Sequence, residues 1–106
     1  MTVNEQIERW FSGREDELVA ALAPLIAIDS TSGQAQPGKP FGPGPAAALA
    51  AALELARSWG LQTSEDEGYV GLVDLNDRED QLHILAHLDV VGAGDNWDTD
   101  PFTLVR

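Results

Sequence analysis

Residues 45–75, PAAALAAALELARSWGLQTSEDEGYVGLVDL, carry the strongest folding pattern in the chain. The first half of this stretch is rich in Ala and Leu. Apolar residues recur at the three- and four-residue spacing of one helix face: Leu49, Leu53, Ala56 and Trp59. Pro45 suits the first turn of a helix, and Gly60 suits the position just past its end. We therefore predict a helix over residues 46–59.

The second half of the stretch predicts a β-hairpin followed by a further strand. Residues 61–66 and 69–75 flank Glu67-Gly68, which predicts a two-residue hairpin turn with glycine. Residues 81–87 come next and are apolar except for their histidines. Such a run is typical of an interior strand covered on both faces.

Two helices are predicted before the quoted stretch. The first covers residues 3–11 and is ended by Gly13, and the second covers residues 15–26 with an apolar stripe. Pro24 conflicts with the second helix because proline removes the hydrogen bond to the Ala20 carbonyl. We expect the helix to bend or split there.

Residues 29–45 form a segment of different composition, with four glycines, four prolines and no periodicity. A loop of this length in a compact domain is either functional or mobile. Taken together, the elements predict an α/β fold: N-terminal helices followed by the first strands of a sheet.

Charge and composition exclude several classes of partner. The 106 residues contain 6 Lys+Arg against 18 Asp+Glu, a formal net charge of −12. Nucleic acids and anionic membrane surfaces both require a basic face, so neither is an expected partner. The chain has no cysteine, so any metal would be held by imidazole and carboxylate groups.

No targeting or membrane segment is predicted. The N-terminus is polar, without the pattern of a signal peptide. The longest apolar stretch, residues 18–28, is interrupted by Pro24 and is shorter than the roughly 20 residues of a bilayer span. We expect a soluble, cytoplasmic protein.

His87 and Asp89 are the candidate functional residues. Residues two apart share one face of a strand, and the carboxyl end of a strand is where ligands bind in open α/β sheets. A metal-bound histidine commonly passes its other ring hydrogen to a carboxylate. The spacing is equally typical of an ordinary strand-end histidine beside a turn-forming aspartate, and the residues alone leave both interpretations open.

Residues 84–102, ILAHLDVVGAGDNWDTDPF, resemble the first metal-binding segment of the M20 family of zinc metallopeptidases. In that family an apolar strand runs into His-x-Asp-Val-Val, then Ala-Gly-Asp, Trp and Asp-Pro-Phe. Residues 41–59, where Phe-Gly-Pro-Gly-Pro opens an Ala/Leu helix, resemble the bacterial dipeptidase (PepV- and carnosinase-like) branch. The resemblance extends over residues 3–106. Gly92 and Asn96 depart from the family's usual proline and glycine, which bears on the shape of the loop.

The resemblance implies that residues 1–106 are the N-terminal portion of a catalytic domain, without its remaining part and without the lid domain. His87 would bind one zinc of a two-zinc site, and Asp89 would be a catalytic residue that polarises the imidazole. The parent would hydrolyse dipeptides with a metal-activated water. Its other ligands and its general base would lie beyond Arg106, so we expect the 106-residue chain to be inactive and to bind zinc weakly or not at all. The substrate-binding residues are unknown.

Three further aspartates and a second histidine lie near the candidate residues. His83 is interpreted as a packed or edge histidine, and the acidic loop as turns and rim rather than a calcium site: Asp95, Asp98 and Asp100. The alternatives to a dipeptidase are an N-acyl amino acid amidohydrolase of the same family and a non-catalytic acidic α/β interaction module. Unpaired sheet edges also predict self-association.

Overall fold

The computed structural model of the protein describes residues 1–80 and 82–106. Three helices precede a hairpin, in the order α1 (Val3–Phe11), α2 (Glu15–Ile26), α3 (Pro43–Ser58), β1 (Gln62–Asp66) and β2 (Val70–Asp74). The three predicted helices and the predicted hairpin are confirmed, α1 and α2 with the predicted bounds. α3 begins three residues earlier than predicted because Pro43 occupies its first turn, where proline loses no intrahelical bond.

α1 begins with a reciprocal pair of hydrogen bonds between Thr2 and Glu5. The Glu5 amide donates to Thr2 Oγ1 at 3.2 Å, and the Thr2 amide donates to a Glu5 carboxylate oxygen at 2.7 Å. Both bonds use amides at the helix start that have no partner inside the helix. Gly13, at φ +77°, follows the end of the helix. The helix is thus delimited by local sequence, although none of its side chains is buried.

α2 continues through Pro24, so the expected split does not occur. The proline lies in the last turn, since the helix ends two residues later at Ile26. The Ala20 carbonyl loses the Pro24 amide as a partner, yet the helical bonding resumes beyond the proline, where the Ala27 amide donates to the Ala23 carbonyl at 3.1 Å.

The core lies where α3 packs against the hairpin. The buried hydrophobic side chains of the described residues all come from α3: Ala48, Leu53 and Ala56, at 3–6% exposure. Gly71 of β2 lies so close to this helix that an added Cβ would be 2.6 Å from Leu49 Cδ1 and 3.1 Å from Leu53 Cδ2. Trp59, predicted on the same helix face, is 62% exposed because the helix ends at Ser58.

β1 and β2 form a two-stranded antiparallel sheet with Gln62 opposite Asp74 and Asp66 opposite Val70. Glu67 and Gly68 have φ of +49° and +79°, as a type I′ turn requires, and the Tyr69 amide donates to the Asp66 carbonyl at 2.9 Å. The position of the predicted turn is therefore confirmed, but its predicted length of two residues is wrong. Asp66 pairs with Val70, so the connection has three residues, with Tyr69 as the third.

The predicted interior strand over residues 81–87 is wrong for its described part, residues 82–87; Gln81 lies outside the described residues. Leu82, Ile84 and Leu85 are 79%, 84% and 96% exposed. Residues 82–87 make no backbone hydrogen bond to another described residue. A segment forms a β-strand only when a neighbouring strand shares backbone hydrogen bonds with it, and β2 is not paired with this segment. The fold class of the described residues is therefore mixed α/β, with one two-stranded sheet.

The Gly/Pro loop, predicted at residues 29–45, ends at Gly42, because α3 begins at Pro43. Gln36 and Lys39 exchange backbone hydrogen bonds of 3.0 and 2.8 Å around Gly38, whose φ is +72°. The Gly33 amide donates to the Phe41 carbonyl at 2.8 Å. These bonds fold the loop back on itself, so that Ser30 and the start of α3 lie close together.

Candidate functional site

The segment that carries the candidate residues is attached to the loop after α2. Ser30 Oγ donates to the Leu88 carbonyl oxygen at 2.7 Å, and the Val90 amide donates to the Ser30 carbonyl at 3.3 Å. Thr31 and Val90 form a parallel bridge. Ser30 is only 3% exposed. No sequence pattern singled out Ser30, because serine is common in loops.

His87 and Asp89 lie in direct contact. His87 Nδ1 is 2.9 Å from the backbone carbonyl oxygen of Asp89 and 3.2 Å from its Oδ1. A carbonyl and an ionised carboxylate can only accept hydrogen bonds, so the hydrogen of a neutral imidazole belongs on Nδ1. The lone pair is then on Nε2. The two side chains are 83% and 54% exposed, which leaves Nε2 open to a ligand.

An open cleft of about 380 Å³ borders this pair. It is lined by residues 86–89, by residues 68–71 of the hairpin, by Pro45 and Leu49 of α3, and by the loop residues Ser32 and Phe41. Phe41 and Tyr69 meet edge to face there, with ring centroids 5.4 Å apart. The arrangement places an imidazole and a carboxylate beside an apolar, aromatic surface, as small-molecule sites often do.

Asp29 and Asp100 each accept hydrogen bonds that belong to local turns. Asp29 Oδ1 accepts from the hydroxyl and the amide of Thr31 at 2.6 and 3.1 Å, which lowers the pKa of the Asp29 carboxyl. Asp100 Oδ1 accepts from the Phe102 amide at 2.8 Å, a turn role as predicted. Of the two interpretations of His83, as a packed or as an edge histidine, the packed one is wrong: its side chain is 75% exposed, with Nε2 3.7 Å from Asp80 Oδ2.

His87, with Asp89 beside it, fits one ligand position of a metal site. A neutral imidazole with an open Nε2 and a carboxylate on Nδ1 is the arrangement that metal-bound histidines use. Zinc sites use three or more protein ligands. Among residues 1–80 and 82–106, no three His, Asp or Glu side chains are grouped closely enough to hold a metal ion. The roles of His87 and Asp89 stay predictions.

None of the helices in the described part of the chain has the length and apolar character needed to cross a membrane.

Comparison with known proteins finds bacterial proteins that are named as putative dipeptidases. The chain is 35% identical over 92 residues to "Putative dipeptidase YtjP" of Bacillus subtilis (strain 168), covering 85% of this chain and 20% of that protein. It is 39% identical over 90 residues to "Putative dipeptidase SAUSA300_1697" of Staphylococcus aureus (strain USA300), covering 83% of this chain and 19% of that protein. No protein-family model matches the chain. The chain therefore resembles bacterial proteins named as dipeptidases, and it spans about one fifth of their length.

Proposed function

We propose that this chain is part of a longer, cytoplasmic, metal-dependent dipeptidase of the M20 type. The observation that carries the proposal is the contact of His87 Nδ1 with Asp89, which leaves Nε2 free. The resemblance of residues 84–102 to a metal-binding segment and the dipeptidase names of the relatives support it.

In the complete enzyme His87 would bind one of two zinc ions through Nε2. Bound zinc supplies a hydroxide near neutral pH and stabilises negative charge on the carbonyl oxygen of the scissile peptide bond. Asp89 would accept the Nδ1 hydrogen, hold the ring in one tautomer and raise the basicity of Nε2. The Asp89 backbone carbonyl shares this hydrogen bond, which restricts the ring orientation further.

The other ligands and the general base would come from outside these 106 residues. We expect the chain alone to be inactive and to bind zinc weakly, because His87 is its only candidate ligand and zinc sites use at least three. Metal analysis of the purified chain tests this. One tightly bound zinc per chain would contradict it.

The function is tested in the full-length protein with dipeptides, with and without added zinc. His87→Ala is expected to lower kcat/KM by at least about 100-fold and to remove zinc, because the variant lacks the imidazole that would bind the metal. His83→Ala is the matched control: it removes an exposed histidine four residues away and is expected to leave both readouts unchanged. Unchanged zinc content and activity in His87→Ala would overturn the assignment.

The same assay separates the alternatives. Zinc-dependent hydrolysis of N-acyl amino acids without dipeptide hydrolysis would assign the amidohydrolase reaction. A folded full-length protein that binds no zinc and hydrolyses neither substrate would support the interaction module.

A further inference from the structure

Ser30 contacts the backbone on both sides of Asp89. Its hydroxyl donates to the Leu88 carbonyl at 2.7 Å, and its own carbonyl accepts from the Val90 amide at 3.3 Å. The Leu88 carbonyl belongs to the peptide group before Asp89, and the Val90 amide belongs to the peptide group after it. The two backbone dihedral angles of Asp89 relate these planar groups, so Ser30 restrains both angles at once.

The peptide group after Asp89 also contacts the candidate ligand. Its carbonyl oxygen is the Asp89 oxygen that lies 2.9 Å from His87 Nδ1. Its N–H is the Val90 amide that donates to Ser30. A continuous chain of hydrogen bonds therefore runs from the His87 ring, through one peptide group, to the Ser30 carbonyl. Hydrogen bonds in such a chain polarise one another, so that each strengthens the next.

Burial makes Ser30 a fixed point beside an exposed pair. Ser30 is 3% exposed, whereas the side chains of His87 and Asp89 are 83% and 54% exposed. The Thr31–Val90 bridge extends the same contact by one residue. The orientation of the exposed imidazole is thus linked, through the backbone of residues 88–90, to a residue that water does not reach.

We propose that Ser30 is a positioning residue for the metal ligand His87. By fixing the peptide groups on both sides of Asp89, Ser30 aims the Asp89 carbonyl at His87 Nδ1 and keeps Nε2 pointing in one direction. Through the chain of hydrogen bonds it also strengthens the bond at Nδ1, which raises the basicity of Nε2. The proposal rests on the part of the proposed function that makes His87 a zinc ligand.

A purely structural role for Ser30 predicts a different result. A serine that only attaches the segment to the loop would change the stability of the protein when replaced, and the molecules that stay folded would bind zinc as before. A positioning residue changes the zinc affinity of the folded protein itself. Substitution of a residue that orients a metal-binding histidine lowers metal affinity by about 10- to 100-fold.

The zinc affinity of the full-length protein tests the proposal. Ser30→Ala removes the hydroxyl that holds the Leu88 carbonyl, and its dissociation constant for zinc is expected to rise by about 10-fold or more. Competition with a chelator measures this constant at a temperature where all variants are folded. Ser58→Ala is the matched control, because the Ser58 hydroxyl also donates to a leucine carbonyl, that of Leu55 at 2.6 Å, but at the end of α3. Equal zinc affinity in the two variants would overturn the proposal.

Cobalt provides a readout of geometry that a loss of stability does not change. With Co²⁺ in place of zinc, the visible absorption bands depend on the arrangement of the ligands around the ion. Ser30→Ala is expected to shift these bands, because the His87 ring is less restrained, and Ser58→Ala is expected to leave them unchanged. Identical spectra of Ser30→Ala and the unsubstituted protein would contradict a positioning role.

A measurement on the unsubstituted protein does not depend on the folding of a variant. Zinc on Nε2 makes the Nδ1 hydrogen of His87 a stronger donor, and the hydrogen-bond chain passes this change through the Asp89 peptide group to the Val90 amide. In full-length protein labelled with nitrogen-15 valine, the Val90 amide proton is expected to move downfield when zinc binds. The amide of Val19, inside α2, is the control. An unmoved Val90 signal in the zinc-bound protein would overturn the proposal.

His87→Ala separates failure of this proposal from failure of the proposed function. If His87→Ala removes zinc while Ser30→Ala binds zinc as tightly as Ser58→Ala, His87 is a ligand and only the role of Ser30 is wrong. If His87→Ala keeps its zinc, the proposed function and the role of Ser30 are both wrong. Removal of zinc by His87→Ala together with weakened binding in Ser30→Ala would support both.

Discussion

The Ser30 hydroxyl donates a 2.7 Å hydrogen bond to the carbonyl oxygen of Leu88, 58 residues further along the chain. Leu88 lies between His87 and Asp89, so this one bond positions the backbone of both candidate residues. The Val90 amide returns a hydrogen bond to the Ser30 carbonyl. The candidate site is therefore held by a buried loop serine rather than by a sheet.

Ser30→Ala is expected to destabilise the chain by about 1 kcal/mol, because the Leu88 carbonyl loses its partner in a partly buried place. Urea unfolding measures the loss, and NMR shifts are expected to change around His87. Ser32→Ala, two residues away at an exposed position, is the control. Equal stability of the two variants would show that the bond contributes nothing.

Gly44→Ala is expected to destabilise the chain by about 1–3 kcal/mol, although alanine is the better helix former. A Cβ at this position of α3 would collide with the backbone carbonyl of Asp29 and approach Ser30 Cα to 3.2 Å. Gly33→Ala is the control, because its Cβ would meet nothing within 4 Å. Thermal unfolding compares the two, and a Gly44→Ala variant as stable as Gly33→Ala would contradict the close packing.

Asp89→Ala is expected to reduce the fraction of His87 that carries its hydrogen on Nδ1, because the carboxylate acceptor at 3.2 Å is removed. The shift is expected to be partial, since the backbone carbonyl at 2.9 Å remains. Nitrogen-15 NMR of the imidazole measures the two tautomers. His83 in the same sample is the internal reference, and an unchanged His87 spectrum would show that the carboxylate does not orient the ring.

Acid is expected to loosen the start of α1. The Thr2 amide, and then its hydroxyl, lower the pKa of Glu5 below its usual 4.5. A lowered folded pKa means that the capping contribution is present above the unfolded pKa and is lost as the pH falls through the folded value. NMR secondary shifts of residues 3–11 between about pH 6 and pH 2 measure this loss.

Glu5→Gln is the matched variant for the acid experiment. Glutamine also serves in a capping box but does not titrate, so its helix start is expected to be independent of pH over the same range. Identical acid loss in both proteins would assign the effect to other carboxyl groups.

The helices were predictable because their signals are local. The Pro43–Ser58 helix and the Glu67-Gly68 turn are specified by residues within a few positions of each other. Pro24 shows the limit of such reasoning, because a proline predicts a bend or split from the sequence alone, whereas α2 runs through it from Glu15 to Ile26.

The prediction of a third strand failed because it depended on a distant partner. An apolar run forms a strand only when a neighbouring strand can share hydrogen bonds with it. Residues 82–87 have the composition of an interior strand, but they share no backbone hydrogen bond with β2. The contact of His87 with Asp89 could be foreseen from a spacing of two. The contact of Ser30 with Leu88 could not, because it joins segments 58 residues apart without a pattern in either.

The Ser30–Leu88 bond also has a kinetic consequence. It closes a loop of 58 residues, whereas α3 and the hairpin that it packs against are adjacent along the chain. Closing a long loop costs entropy before its contacts are gained, so α3 and the hairpin should assemble first and the His87 segment should dock last. Unfolding is expected to follow the reverse order, so the His87 segment detaches first. Its docking can be lost and regained while the α3–hairpin core stays folded.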